Sequence, residues 1–382
     1  MGVLIIGTGL AGYTVAREVR KHDDAIGITL VTADDGHNYS KPMLSNGFAK
    51  GKSADGLRQQ SAEQMAEALG VTVRTHTRVT GIDTAAKRVR TDTDTLDYDQ
   101  LVLAVGAKQL VLPLDGDAAD DVMRVNTLGE YAHFRNQIEG ASRVAIMGPG
   151  LIGCEFANDL ANGGFQCDVI GPDNHPLERL MPEPAGRALQ GALAALGVQF
   201  HLGTVVNAVN RDGEAYRVSL ANGSEIQADA VLSAVGLVPD IELAREAGLE
   251  TARGIRVNRE LATSADGVYA IGDCVEIDGL VMPYVMPIMH AARALGATLT
   301  GTPTAVTMPA MPVAVKTPAH PVVVAPPAPG AEGTWQCESQ EDGGVLARHV
   351  AADGSLLGVA LTGSMAVKQK MALQRELPPV LS

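Results

Sequence analysis

Aromatic side chains are scarce in this sequence: they make up 3% of its 382 residues, with a single Trp. Its cores must therefore be built mainly from Ala, Val, Leu and Ile, residues that suit buried parallel sheets covered by helices. Cysteine is scarce too. Cys154, Cys167, Cys274 and Cys337 lie far apart and form no C-x-x-C or C-x4-C pair. The chain thus lacks the sequence sign of a redox-active disulfide, a zinc site or an iron–sulfur cluster. Each lone thiol reads as a small buried hydrophobe, and this usage suits a reducing compartment. Dense runs of Lys or Arg are missing and the net charge is −14, whereas a nucleic-acid partner needs a basic face. No apolar run reaches the ~20 residues that a membrane span requires. The first strand, Val3–Ile6, begins almost at the initiator methionine and leaves no room for a signal peptide, so a cytoplasmic, soluble protein is expected.

What is present points to well-filled cores. Hydrophobic residues make up 46% of the chain and charged residues 19%, which argues against disorder. The length suits two or three domains. The chain opens with a strand (Val3–Ile6), a glycine turn (Gly7–Gly12), a helix to about Lys21 and a strand at Gly27–Val31. The order then recurs: strand Val144–Met147, turn Gly148–Gly153, helix to about Leu160, strand Cys167–Ile170, with Asn162-Gly163-Gly164 as the helix stop. Such repetition marks doubly wound α/β domains.

Gly7-Thr-Gly9-Leu10-Ala11-Gly12 has the spacing of a dinucleotide-binding turn. Its first glycine permits the tight turn, the second admits a pyrophosphate to the backbone, and the third allows close helix–strand packing. The helix N-terminus then offers unpaired N–H groups to the phosphate. Ala33-Asp34 follows at the distance where an acid meets an adenosine ribose, the carboxylate being Asp34 or Asp35. Gly148-Pro-Gly150-Leu-Ile-Gly153 is a second complete turn, and two in strand–helix context are far more specific than one. Its following strand carries Gly171 where an acid is usual. Asp173 can reach a ribose instead, and no arginine stands at the tip to take a 2′-phosphate, which favours NADH over NADPH.

The third element is the strand ending Val268-Tyr-Ala-Ile-Gly272-Asp273, which delivers a carboxylate where open α/β sheets bind ligands and suits a flavin ribityl hydroxyl. A helix follows over Tyr284–Gly301, and its N-terminal dipole near Val285 would face the flavin pyrimidine. Two strands, Leu101–Val105 and Val231–Val235, run into Gly106-Ala107 and Gly236-Leu237, so crossovers between domains are expected near Lys108–Leu112 and Pro239–Leu243. After Gly301, prolines punctuate short valine-rich pieces. Alternation at Pro312–Thr317, Pro321–Ala325, Gly344–Val350 and Leu356–Leu361 suggests a small antiparallel sheet, followed by a basic helical segment, Ser364–Leu377. The expected fold is therefore α/β, with two Rossmann-like dinucleotide-binding domains and a small α+β C-terminal domain. The FAD domain is discontinuous (1–110 and 241–312), the NAD(P)H domain is inserted at 111–240, and the last domain spans 313–382.

Lys41, in Tyr39-Ser-Lys-Pro-Met-Leu-Ser45, and Glu155, just beyond Gly153, stand out as polar candidates beside a flavin; as a pair they would orient a nicotinamide and tune the flavin potential. These segments, with Leu-Ile-Gly-Cys-Glu-Phe-Ala-Asn-Asp-Leu and Pro-Tyr-Val-Met-Pro-Ile-Met, resemble the glutathione-reductase-fold flavoproteins of the ferredoxin-reductase type. More narrowly they are similar to the rubredoxin–NAD(+) reductases of alkane-oxidising bacteria. The resemblance implies an enzyme that passes electrons from NADH through FAD to rubredoxin, an acidic iron carrier that feeds an alkane hydroxylase. It implies FAD contacts at Gly9–Gly12, Ala33, Asp34, Lys41, Val79, Glu155, Asp273, Val285 and Lys316, and it makes Lys41–Glu155 the preferred pairing. Gly148, Gly150, Gly153 and Asp173 remain the nicotinamide candidates, and no metal ligand is expected. The absence of a cysteine from Asp34 to Lys52 opposes a peroxidatic oxidase. The alternative enzyme is an NADH-dependent ferredoxin reductase of an oxygenase system. For docking an acidic carrier onto an acidic chain, the local basic candidates are Lys316, Lys368, Lys370 and Arg375.

Overall fold

A computed structural model of the chain describes residues 2–382. Two parallel sheets dominate it. The first has the order Val268–Ala270, Gln100–Leu103, Gly2–Ile6, Gly27–Val31, Thr72–Arg74. The second has the order Gln199–Leu202, Gln166–Gly171, Arg143–Met147, Ala230–Ser233. Strands Gly2–Ile6, Gln100–Leu103, Arg143–Met147 and Ala230–Ser233 are buried over nearly every residue, as expected of parallel strands covered on both faces. Each sheet feeds from its first strand into a helix, Leu10–His22 and Leu151–Asn162, and Gly163 stands at the C-cap of the second. The late helix Val285–Leu299 lies along the first of these, with Gly296 seated against Glu18.

The chain leaves the first sheet after Leu103, builds the second between Arg143 and Ser233, and returns to the first at Val268–Ala270. The two crossings run side by side: Ala107–Gln109 pairs antiparallel with Leu237–Pro239, with Lys108 opposite Val238. Each parallel sheet is also accompanied by a three-stranded antiparallel sheet, Val79–Thr91 with Thr95–Asp97 in the first half and Val206–Leu220 with Glu225–Ala228 in the second. Neither is among the expected elements, although strands such as Glu225–Ala228 alternate exposed and buried residues.

The C-terminal sheet has five antiparallel strands, in the order Val313–Val315, Val322–Ala325, Leu356–Thr362, Val345–Val350, Thr334–Ser339. Four of them coincide with the expected valine-rich pieces. The fifth, Thr334–Ser339, is an edge strand with almost every side chain in solvent, so it carries no apolar signal. Cys337 lies on it and is exposed, against the expectation of burial; Cys154, Cys167 and Cys274 are buried and all four thiols are free. One face of this sheet (Val322, Val324, Ala347, Ala360) packs into the core shared with the helix Glu183–Ala195 of the second half. The other face (Val323, Leu346, Val359, Leu361) is covered by Ala366, Leu373 and Leu377. The terminal helical segment is two short helices, Met365–Lys368 and Lys370–Gln374. No helix among the described residues is long and apolar enough to cross a membrane.

Candidate functional site

The two glycine turns have the same construction. Gly7 and Gly148 hold φ of 112° and 107°, and a Cβ on either would meet a carbonyl oxygen of the neighbouring strand end, Ala104 at 2.3 Å and Ala234 at 2.6 Å. A Cβ on Gly12 or Gly153 would sit 2.0 or 1.9 Å from the carbonyl oxygen of Gly7 or Gly148. Those four glycines are demanded by packing. Gly9 and Gly150 are different: each caps its helix with ordinary extended backbone, and nothing lies within 4 Å of a Cβ placed there. Nothing in the protein requires glycine at these two positions, which open onto helix N-termini built to receive an anion. Leu10 and Ala11 are the first residues of the first helix.

Asp34 and Asp273 lie at the same carboxyl edge as Gly7. Exposed Ala33 and Asp34 follow the strand Gly27–Val31, where Asp34 Oδ1 accepts from the Thr32 hydroxyl at 2.5 Å and the Gly36 amide at 3.0 Å. Gly272 brings Asp273 against the turn, since a Cβ on Gly272 would lie 3.0 Å from that of Ala11. The Asp273 Oδ1 is buried and has no hydrogen-bond partner within the protein. Burial pushes this carboxyl above its usual range, opposed by the Lys41 ammonium. Lys41 is the mirror case: burial lowers its pKa, and the negative charges of Asp273, then Glu130 and Asp34, pull it back up. Val285 and Met286 expose their side chains at the start of the late helix, and Val79 is half-buried at the first strand of the antiparallel insert. A half-buried carboxylate whose buried oxygen lacks a donor, an open glycine and exposed apolar residues at a helix N-terminus fit a flavin dinucleotide on the first sheet.

In the second half, Asp173 lies just beyond the strand Gln166–Gly171, and its carbonyl accepts the Gly203 amide at 3.1 Å. The missing acid at Gly171 has a local cause. A Cβ there would lie 2.1 Å from Pro149 Cδ, so the proline inside this turn takes the space an acidic side chain would need.

Glu155 is fully buried, and the structure corrects its partner. The expected pairing with Lys41 is not made. Lys316 Nζ donates to both Glu155 oxygens at 2.7 Å, and the Lys316 backbone amide adds a third bond at 2.9 Å. The Ser45 hydroxyl donates to Oε2 at 2.5 Å. Lys41 instead donates to Asn126 Oδ1 at 3.1 Å, and Asn126 donates to the Ala107 carbonyl at 3.0 Å. The reason is the 3-10 helix Lys41–Asn46, which turns Ser45 rather than Lys41 toward Glu155, while the C-terminal domain supplies the counter-charge. Removing Lys316 would leave a buried carboxylate without that charge, a loss on the order of 3 kcal/mol. Lys316 is thus committed to Glu155 and is not a free docking charge. Ser45 and Asn126 escaped the sequence reading because single polar residues carry no spacing signal.

Cys154 and Cys274 adjoin Glu155 and Asp273, yet both are enclosed; burial pushes the Cys274 thiol up to about 12 and that of Cys154 higher still. Thiolate chemistry is therefore suppressed at both. No group of His, Cys, Asp and Glu suited to a metal ion occurs among the described residues.

Residues 1–296 match the family profile described as pyridine nucleotide-disulphide oxidoreductase, and residues 305–377 match that of the rubredoxin binding C-terminal domain. The chain is 52% identical to the rubredoxin-NAD(+) reductase of Alcanivorax borkumensis over 99% of both chains. It is 43% identical to that of Acinetobacter baylyi, over 99% of this chain and 98% of the other. Among solved structures, the ferredoxin reductase for the CYP199A2 system from Rhodopseudomonas palustris superposes with a TM-score of 0.88 at 24% identity, covering 99% of this chain and 95% of that one. Two equivalent dinucleotide turns, the unpartnered Asp273 Oδ1 at the carboxyl edge of the first sheet and these full-length likenesses lead to one assignment: the chain belongs to the pyridine nucleotide-disulphide oxidoreductase family, among the rubredoxin-NAD(+) reductases.

Proposed function

We propose that this enzyme takes electrons from NADH and, through FAD, passes them to rubredoxin. The observation that carries the reading is the asymmetry between two otherwise equivalent turns. Both Gly9 and Gly150 open onto solvent, but among the described residues only the first sheet has a carboxylate with a buried, unpartnered oxygen, Asp273 Oδ1, beside its turn. A resident FAD belongs on the first sheet, and a transient nicotinamide nucleotide belongs on the second. FAD, when bound, supplies the conversion from a two-electron donor to a one-electron acceptor.

The chain's own residues bind and orient. In this reading Gly9, Leu10, Ala11 and Gly12 hold the pyrophosphate of FAD, and Ala33 and Asp34 hold its ribose. Asp273 takes a ribityl hydroxyl, Val79 and Val285 provide further contacts, and Lys41, Glu155 and Lys316 stand beside the flavin. Gly148, Gly150 and Gly153 receive NADH, with Asp173 as its ribose acid. The charged groups are tied to one another, Glu155 to Lys316 and Lys41 to the field of Asp273, so they set the local potential without having to exchange a proton. The division at 1–110 with 241–312, 111–240 and 313–382 is the domain scheme that goes with this reading, and rubredoxin docks on the last unit. The same reading places the enzyme in the cytoplasm, where NADH is available. Supply of an alkane hydroxylase is its downstream part, carried by resemblance alone.

NADH and NADPH oxidation, with purified rubredoxin and a [2Fe–2S] ferredoxin offered in parallel, tests the proposal. Rapid NADH-driven rubredoxin reduction is expected. A large preference for ferredoxin would replace the acceptor, and no flavin reduction by either nucleotide would end the reading.

A further inference from the structure

The helix Leu151–Asn162 bears more than Glu155 on its inner face. Glu155, Asn158 and Asp159 are spaced i, i+3, i+4 and so line up on one side. They are exposed by only 0%, 1% and 5%. Polar groups so deeply placed cost free energy unless they are bonded, and each of these is bonded to a distant part of the chain. Glu155 holds Lys316 and Ser45. Asn158 Oδ1 accepts the Ala319 amide at 3.2 Å. Asp159 accepts two consecutive amides, Phe48 at 2.7 Å and Ala49 at 3.2 Å.

The loop on Asp159 is fastened at further points. The Phe48 ring packs edge-on to Phe165 at 5.0 Å and lies under the Arg135 guanidinium at 4.2 Å. The Lys52 carbonyl accepts from the Tyr131 hydroxyl at 3.0 Å and from Arg135 at 2.8 Å. Gly163 makes room for the Phe48 ring, which would come within 2.5 Å of a Cβ there. The segment from Lys41 to Lys52 leaves the half of the molecule that holds the first sheet, yet it is mounted on helices of the second half. It carries Lys41 and Ser45 in one 3-10 helix, while the segment held by Asn158 carries Lys316.

We infer that Asp159 and Asn158 are positioning residues, which fix the Lys41–Ser45 and Lys316–Ala319 segments around Glu155 and so set the geometry of electron entry from the nicotinamide. This rests on the placement of Lys41, Glu155 and Lys316 beside the flavin given under Proposed function. Neither Asp159 nor Asn158 faces the glycine turns, so their loss should leave both nucleotides bound and alter only how they are held against one another. A misplacement of about 1 Å at a reacting pair can lower a rate by about 100-fold.

The test uses FAD-loaded wild type, Asp159→Ala, Asp159→Asn and Asn158→Ala, with Val218→Ala, in the core of the antiparallel insert of the second half, as a control for lost stability alone. Anaerobic stopped-flow reduction by NADH reads the limiting rate of flavin bleaching and the apparent NADH Kd separately; FAD content and melting temperature are measured beside them. Asp159→Ala is expected to keep its FAD and its NADH Kd while the limiting rate falls roughly 10- to 100-fold. Asp159→Asn, which keeps one acceptor oxygen, should recover part of that loss, and Val218→Ala should melt lower at a wild-type rate. A lowered melting temperature with an unchanged limiting rate in the Asp159 and Asn158 variants would overturn the inference. If Asp159→Ala does not retain FAD, Asp159→Asn and Asn158→Ala decide by the same criterion. Failure of the wild type itself to be bleached by NADH would instead reject the underlying function.

Discussion

Gly150→Ala and Gly153→Ala lie three residues apart and are expected to fail in opposite ways. Gly150 has φ −78° and ψ −171°, a conformation open to alanine, and its Cβ would enter empty space. The folded state loses only the difference between glycine and alanine at an N-cap, about 0.5 kcal/mol. In a domain of this size that lowers Tm by about 1–2 °C. The methyl would, however, stand where a pyrophosphate must approach the backbone. Loss of one charge-assisted hydrogen bond, about 1.5–3 kcal/mol, raises KM for NADH roughly 10- to 100-fold. Gly153→Ala instead drives a Cβ to 1.9 Å from the Gly148 carbonyl oxygen, and both atoms belong to backbone that cannot rotate away. Overpacking of this kind costs about 1–3 kcal/mol, or roughly 3–10 °C. Thermal melting of the FAD-loaded variants and steady-state NADH kinetics with a fixed acceptor separate the two. An unchanged NADH KM in Gly150→Ala would refute the assignment of this turn to the nicotinamide nucleotide. A wild-type Tm in Gly153→Ala would refute the packing argument. In the first turn, Gly9→Ala should speed FAD release with little change in stability.

Asp273→Asn carries a pH signature. Because burial raises the native pKa of this carboxyl, the flavin-free native state binds more protons than the unfolded chain between the ordinary and the raised value, and wild-type stability falls as pH rises through that window. Flavin-free Asp273→Asn should therefore be more stable than wild type at neutral pH, with the gap closing on acidification toward about pH 4; urea melts at several pH values measure it, and a constant gap would contradict the assigned cause. The loaded variant should lose FAD faster on dilution. At the acceptor end, Val367 and Met371, exposed by 76% and 69%, stand among Lys368 and Lys370. Charge reversal at both lysines should raise the KM for rubredoxin and flatten its dependence on ionic strength, whereas identical kinetics across salt would move the docking surface elsewhere.

Much of the architecture was legible because it is written locally. Strand Val144–Met147, turn Gly148–Gly153 and the helix after it follow from apolar runs, glycine spacing and a Gly-Gly stop, all within about 20 residues. The glycine turns, the late Asp273 and the valine-rich strands of the last unit follow in this way, whereas the pairing of Ala107–Gln109 with Leu237–Pro239 carries no local signal. Local signals could not choose a partner for Glu155. Lys41 was the natural candidate by resemblance, but Lys316, 161 positions away, holds that carboxylate, because the C-terminal sheet packs on the helix Glu183–Ala195 and brings its loop over the second glycine helix. The sites of Ser45, Asn126, Asn158 and Asp159 were decided in the same way. Sequence patterns report which face of an element is apolar; which polar groups meet across three packed units depends on how those units are seated, and only the tertiary structure contains that.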